Sequence, residues 1–314
     1  MKNPNPIHVI FGSGPLGLSV MRALLRRSQP VRLVNRRGKA DVPAGVEVLA
    51  ADAYNLESAR QACQGAAVVY QCAQPAYHQW VEQFPPLQAS ILEAAASAGA
   101  RLVIAENLYM YGAVAGPIHE GLPYNAHTRK GKTRAHMAEA ALAAHQAGKA
   151  QVAIGRGSDF FGPGVLASSL GDRVFAPALH GKTASAVGSL DLPHTYTYID
   201  DFGEALAVLG ERPEALGQAW HVPNPETLTQ RQLITLIFDD LGLPPKMSGM
   251  GSLMMRLGGL FVPAARESVE MMYEFEKPFI VDDSRYRRTF GGSATPLRHA
   301  IRHTVDWYRQ HHSA

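Results

Sequence analysis

Residues 7–17, Ile-His-Val-Ile-Phe-Gly-Ser-Gly-Pro-Leu-Gly, constrain the fold of this chain more than any other stretch. The mostly apolar run 7–11 has the length and character of a buried parallel strand. Gly12, Gly14 and Gly17 follow in the pattern G-x-G-x-x-G. The apolar positions Leu16, Leu18, Val20, Met21, Leu24 and Leu25 then predict a helix. Strand, tight turn and helix are the context that gives the glycine pattern a physical meaning. Gly12 allows the turn, Gly14 lets the backbone approach a pyrophosphate, and Gly17 lets helix and strand pack closely. Pro15 and Leu16 open the helix, whose N–H groups and positive dipole end suit phosphate. A glycine-rich turn in some other α/β protein is the plain alternative, and the downstream residues weigh against it.

Strand and helix alternate through the first half. Residues 31–35, 46–50, 67–72, 101–106 and 152–156 read as strands, with helices over 79–98 and 134–147. The expected fold class is α/β, a Rossmann doubly wound parallel sheet with a smaller C-terminal substrate lobe. Its ligand belongs at the carboxyl ends of the strands. At 314 residues, with 46% hydrophobic and 18% charged, the chain has material for a large core. The net charge of +3 gives no pull toward nucleic acid or a membrane surface. No apolar run reaches the roughly 18 residues of a membrane span. Residues 1–11 lack a signal-peptide pattern. Cys63 and Cys72 make no disulfide framework. A cytoplasmic protein with reduced thiols is expected.

The strand ends carry the cofactor argument. A site for NAD usually places a carboxylate after the second strand, on the ribose 2′-hydroxyl. Here that strand ends Asn35-Arg36-Arg37, with two guanidinium groups and no acid. Arginine matches phosphate geometry, so NADP is the expected cofactor. Asp52, after the third strand, reads either as a contact to the adenine amino group or as a helix N-cap. Ala73, Gln74 and Pro75, after the fourth, pass beside the cofactor ribose. Ser158 and Phe160 lie in a glycine loop after the sixth strand, where backbone groups reach the nicotinamide amide and Asp159 or Phe160 lines the substrate cleft; a loop simply fixed by its glycines is the plain reading.

These pieces, with Tyr111-Gly112, the loop 155–164, the segment 194–202 and the closing Trp307, resemble the short-chain dehydrogenase/reductase superfamily. The resemblance is to its extended type, close to nucleotide-sugar epimerases and dehydratases, and covers nearly the whole chain. It implies a hydride-transfer site built from an upstream Ser and a Tyr-x-x-x-Lys pair. This chain departs from that set. Asn107 stands at the Ser position and can still donate to a carbonyl oxygen. The stretch 127–134, His-Thr-Arg-Lys-Gly-Lys-Thr-Arg, contains no Tyr. Depending on register, the Tyr position falls on Thr128, Lys130 or Gly131, and the Lys position on Lys132, Arg134 or Ala135. Tyr109 and Lys132 are taken as the substitute proton handlers, with Tyr111, Tyr124 and Lys130 as alternatives.

Residues 1–164 are read as an NADP-binding Rossmann domain, completed by about 194–223 and the C-terminal helix. Residues 165–193 and 224–290 form the substrate lobe, with helices expected at 166–179 and 232–241. Thr227-x-x-Gln230 has a capping-box pattern. Asp200 and Asp201 read as caps of a helix at 202–209 rather than as metal ligands, and no metal site is expected. The Met-rich stretch 247–272 is either an adaptable substrate wall or an ordinary core or subunit-contact helix, and residues 273–281 are expected to cover the cleft. No second diphosphate site is legible, which argues against a sugar-nucleotide substrate. The leading expectation is an NADP(H)-dependent reductase or dehydrogenase for a small carbonyl or alcohol. An epimerase or dehydratase is the alternative of the same class, and a non-catalytic NADP(H) sensor that of another. A homodimer through helices 89–98 and 134–147 is the partner expectation.

Overall fold

The computed structural model of the chain describes residues 7–251, 267 and 269–312. Seven strands form one sheet: β1 (Ile7–Phe11), β2 (Val31–Asn35), β3 (Glu47–Ala50), β4 (Ala66–Gln71), β5 (Arg101–Glu106), β6 (Gln151–Arg156) and β11 (Ala219–His221). Their order is β11-β6-β5-β4-β1-β2-β3, and every neighbouring pair is parallel. The order reverses between β1 and β4, so the crevice of a doubly wound sheet opens there. Helices α2 (Leu56–Ala62), α3 (Trp80–Ser97) and α4 (Arg129–Gln146) cover one face, packing on Val9, Val69, Leu102 and Ile154. Helices α1 (Pro15–Arg26) and α6 (Ile199–Glu211) cover the other, on Ile10, Leu33, Val68 and Val103.

A separate apolar cluster lies beyond the sheet's carboxyl edge. It joins β7 (Asp159–Phe161), α5 (Asp172–Leu179), β8 (Ala184–Val187), β10 (Tyr196–Tyr198), α7 (Gln230–Leu241) and α9 (Leu297–His311). The Met-rich stretch 247–272 lies for most of its length outside the described residues. Cys63 and Cys72 are free, and burial pushes both thiols up to about 12. Among the described residues, no helix is long and apolar enough to cross a membrane.

Several boundaries differ from the sequence expectation for local reasons. Helix α4 starts at Arg129 rather than 134, because the Thr128 hydroxyl accepts from Gly131 N at 3.1 Å and caps it. Helix α5 starts at Asp172 rather than 166, after a turn closed by Asp172 N donating to Leu166 O at 2.9 Å. The expected strand at 194–199 is split. His194 pairs with Leu228, and Tyr196–Tyr198 pairs with β7. The capping box is Thr229 with Gln232, not Thr227 with Gln230. Thr227 instead bonds Thr195 at 2.7 Å, and the Gln230 amide donates to the carbonyls of Val187 and Ser189. Asp200 and Asp201 lie inside the first turn of α6. There Asp200 pairs with Arg22 at 2.5 Å, and Asp201 accepts from the N–H and hydroxyl of Thr295.

The contact that sets the site's scaffold is α1 against α6. Ser19 donates its hydroxyl to Ile199 O at 2.9 Å, and a Cβ on Gly203 would stand 2.1 Å from that hydroxyl oxygen. Gly203→Ala must therefore push α1, and the glycine turn it carries, away from its seat. Overpacking of this kind costs about 1–3 kcal/mol. Urea unfolding is expected to show that loss, and an unchanged midpoint would mean that the helices can separate freely.

Candidate active site

A cleft of about 1050 Å³ runs along the carboxyl ends of β1, β2, β4 and β5 and under the second cluster. Its glycine end has the shape that a dinucleotide pyrophosphate needs. Gly12 holds φ +109°, and a Cβ there would lie 2.7 Å from Ala73 N. A Cβ on Gly17 would lie 1.9 Å from Gly12 O, so only glycine fits between strand and helix. A Cβ on Gly14 would meet nothing within 4 Å, which leaves the space over the α1 N-terminus open. Gln71, at the end of β4, lines the same cleft with both polar side-chain atoms buried and unbonded by any described residue. Such a group costs about 1–3 kcal/mol unless a ligand satisfies it. The residues present therefore fit a nicotinamide dinucleotide.

At the other edge Asn35, Arg36 and Arg37 line the cleft. Asn35 donates to Ser13 Oγ at 3.1 Å and accepts from Arg37 N at 2.9 Å, which shapes the loop. Neither Arg36 nor Arg37 is ion-paired with a described residue, so both guanidinium groups are available to an anion. Asp52 lines the cleft and accepts from Tyr54 N at 3.1 Å. It is not the cap of α2; that role falls to Asn55, which accepts from Ser58 N. Pro15, Leu16, Ala73, Gln74, Pro75, Ser158 and Phe160 also line the cleft. Ser158 gives its N–H to Thr197 Oγ1 and its hydroxyl to Thr195 O, so its polar groups brace the loop.

The far end of the cleft gathers Asn107, Tyr77, Tyr109, Asp159 and Glu274. Asn107 accepts from Tyr109 N at 3.3 Å, which leaves its amide NH₂ to donate to a ligand oxygen. The hydroxyls of Tyr109 and Tyr77 are 3.4 Å apart. Burial, then the neighbouring Tyr77 and acidic groups, pushes the Tyr109 phenol well above its ordinary value. It can donate a hydrogen bond, and it is a poor proton acceptor at neutral pH. Asp159 accepts from His194 Nε2 at 2.9 Å when that nitrogen carries the proton. Sequence reasoning did not reach Tyr77, Gln71 or Glu274. Gln71 carried a signal, being polar at the end of the apolar strand AAVVYQ. Glu274 lies in 273–281, which the sequence places over the cleft, and Glu274 and Phe279 do line it, but nothing singled out the acid.

Helix α4 does not bring Lys132 to this group. Lys132 is exposed and lines no part of the cleft, whereas Lys130 and Arg134, four residues apart, both turn inward and are buried. The phase of the helix is set by charge. Glu106, with no exposed side-chain surface, lies 3.4 Å from Arg134 and accepts from Arg156 Nε at 3.0 Å. Arg156 also donates to the hydroxyls of Tyr111, at 2.6 Å, and Tyr124. Arg134 lies over the Phe84 ring at 4.5 Å and forms the wall of the cleft. Burial, ahead of the attraction of Glu106, lowers its proton affinity. Lys130 bonds Glu267 at 2.5 Å and Glu270 at 2.8 Å, and lies 4.5 Å from the Tyr77 ring centre.

Two buried guanidinium groups sharing one carboxylate make Glu106→Gln a severe test. Removing one member of a buried ionic group costs about 3–5 kcal/mol. Chemical denaturation is expected to show a loss of that size. A loss below about 1 kcal/mol, the range of exposed pairs, would mean that water reaches the group.

The NAD dependent epimerase/dehydratase family matches residues 7–222. No curated protein matches the sequence. Among solved structures, the chain is similar to DesIV, a dTDP-glucose 4,6-dehydratase from Streptomyces venezuelae with NAD and TYD bound. Identity there is 18%, coverage 97% of each chain and TM-score 0.78. It is also similar to the UDP-glucose 4-epimerase of Thermus thermophilus in complex with NAD, at 18% identity, 96% and 99% coverage and TM-score 0.75. The epimerase Mth375 from Methanothermobacter thermautotrophicus gives 15% identity, 98% and 93% coverage and TM-score 0.80. These three likenesses show a shared fold. The family match spans the glycine turn, all seven sheet strands and the part of the cleft they line, and the chain belongs to the NAD dependent epimerase/dehydratase family.

Proposed function

We propose that the chain is an NADP(H)-using enzyme of epimerase or dehydratase type, acting on a small hydroxyl- or keto-bearing substrate. One observation carries the reading. A single cleft joins the glycine cradle and two unpaired arginines to an enclosed group of proton-donating side chains. Family membership favours transient oxidation, with hydride returned to the substrate, over the net reduction expected from sequence alone.

When bound, the nicotinamide group supplies reversible hydride acceptance. Gly12, Gly14 and Gly17 admit the pyrophosphate, and the α1 N-terminus supports its charge. Arg36 and Arg37 hold a 2′-phosphate. Gln71 offers both donor and acceptor to the ligand beside Gly12. Arg134, occupying the inward position on α4, faces the ribose from the cleft wall. Asn107 donates its amide to the substrate oxygen and stabilises negative charge that develops there. Tyr109 and Tyr77 orient that oxygen by hydrogen bonding, and the ring wall of Trp80 and Phe84 limits water.

Two measurements test this reading. Fluorescence titration is expected to show NADPH binding well ahead of NADH. Arg36→Ala and Arg37→Ala should each weaken NADPH about tenfold, the value of one hydrogen bond to a charged group, and leave NADH unchanged. Equal affinities for the two nucleotides would overturn the NADP(H) assignment. A panel of small hydroxy ketones and polyols is then incubated with substoichiometric NADP⁺. Conversion with no net change in cofactor supports the epimerase or dehydratase reading, and accumulation of NADPH in step with an oxidised product returns the reaction to a dehydrogenase.

A further inference from the structure

Helix α4 brings only Arg134 to the cleft, with Lys130 buried beside it and no hydroxyl, so the group that exchanges a proton with substrate must come from elsewhere. At the far end of the cleft Tyr77 and Tyr109 bond each other and Asp159 is held by His194, which leaves one ionisable side chain without a partner among the described residues. Glu274 lies on the short helical segment Val269–Phe275, lines the cleft and is only 3% exposed. No described residue hydrogen-bonds its carboxyl. It shares this end of the cleft with Asn107 and with the paired hydroxyls of Tyr77 and Tyr109.

The segment that carries it is fixed at both ends. At its start Lys130 bonds Glu267 and Glu270, and Arg129 N donates to Glu270 at 2.8 Å. At its finish the Phe275 ring stacks on His194 at 4.7 Å, and Phe275 O accepts from Ser189 N at 3.1 Å. Lys130 thus replaces a proton-handling side chain on α4 with an anchor for a different one. We infer that Glu274 is the catalytic acid and base of this site, exchanging a proton with the substrate oxygen bound by Asn107. The inference rests on the redox reading of the cleft proposed above.

The step balances without a further reactant. In the oxidising direction the Glu274 carboxylate takes the hydroxyl proton. The C–H bond of the carbinol breaks, its electron pair leaves with the hydrogen as hydride to the oxidised nicotinamide, and the C=O bond forms. In the return direction the protonated carboxyl gives its proton to the carbonyl oxygen as hydride adds to carbon. The surroundings favour the protonated, donating form and make the carboxylate, when it forms, a stronger base than an exposed one. Burial first, and the Asp159 carboxylate second, hold the Glu274 carboxyl well above its ordinary range. Tyr77, Tyr109, Tyr273 and Glu270 are its other ionisable neighbours, with Lys130 and His194 as the cations or potential cations at the segment's ends. A carboxylic acid kept neutral by its site can donate at neutral pH, which an ordinary surface carboxylate cannot.

Glu274→Gln tests this, since glutamine matches the protonated acid in shape and charge. The full-length protein is unfolded in urea across the pH range, wild type beside variant. A raised folded pKa means that the native state holds a proton which the unfolded chain releases near 4.5. Native stability attached to that proton is complete below that value and is lost as pH rises toward the folded pKa. The wild-type unfolding constant should therefore grow about tenfold per pH unit relative to the variant over that window. The variant should bind NADPH as wild type does and, with NADP⁺ and the hydroxy ketone and polyol panel, lose about 100-fold or more in turnover. Parallel pH curves, or turnover that survives the substitution, would overturn the assignment. Absence of wild-type turnover on any substrate, with the pH difference intact, would instead defeat the redox reading and take the catalytic role of Glu274 with it.

Discussion

The buried carboxylate of Glu106 is the constraint on which the catalytic end of this molecule depends. A carboxylate without exposed surface costs several kcal/mol unless its partners are held in place. Its partners are Arg156 on the neighbouring strand and Arg134 on α4. The strand partner comes from sheet register, since Glu106 and Arg156 sit opposite each other in the β5–β6 ladder. The helix partner fixes rotation. Once Arg134 faces Glu106, the residue four positions earlier lies on the same face and the residue two positions earlier points away. Lys130 is therefore drawn into the protein and Lys132 is sent to solvent.

The same charge group extends away from the cleft. Arg156 donates to the Tyr111 hydroxyl, which lies 2.9 Å from His221 Nε2. His221 Nδ1 is 3.1 Å from the carbonyl of Asp282. A carbonyl only accepts, so Nδ1 carries the proton and Nε2 accepts from the tyrosine. Burial and the nearby Arg156 charge pull the His221 pKa down to about 3, which keeps that neutral tautomer in place. β5, β6, β11 and the stretch leading into α8 (Ser284–Phe290) are thus tied by one continuous set of polar contacts. Rigidity at that level is what lets a side chain from a distant segment be placed against substrate.

How much of this the sequence reveals follows from how local each piece is. The glycine turn is legible because strand, turn and helix are consecutive: Gly12 and Gly17 answer to contacts with the adjacent β4 end and within the motif, and Gly14 keeps open the space a ligand needs. Arg36 and Arg37 are legible for the same reason, as they end the strand beside that turn. The inward face of α4 is not, because its phase depends on Glu106, more than twenty positions earlier, and on an N-terminus that Thr128 moves back to 129. Helical spacing alone offers Thr128 with Lys132 as readily as Lys130 with Arg134. Glu274 is further still from legible. It lies just past the Met-rich stretch, in a segment expected over the cleft but with no motif to mark the acid, and the Lys130 anchor that seats it is 140 or so positions away in sequence.

The two ends of the cleft are therefore built on different principles. A pyrophosphate is recognised by backbone N–H groups, a helix dipole and the absence of side chains, which a short stretch of chain provides by itself. Proton exchange needs a group of suitable pKa, held within hydrogen-bonding reach and sheltered from water, and that shelter has to be assembled from several segments. At this site the shelter comes from Tyr77 and Trp80 after β4, Tyr109 after β5, Phe160 in β7, and Phe279 and Glu274 from the C-terminal part. Such an end can be rebuilt through any of those segments while the cradle stays as it is. A chain with an intact dinucleotide cradle and no tyrosine on α4 is then no contradiction: the acid has moved to the element that α4 now anchors.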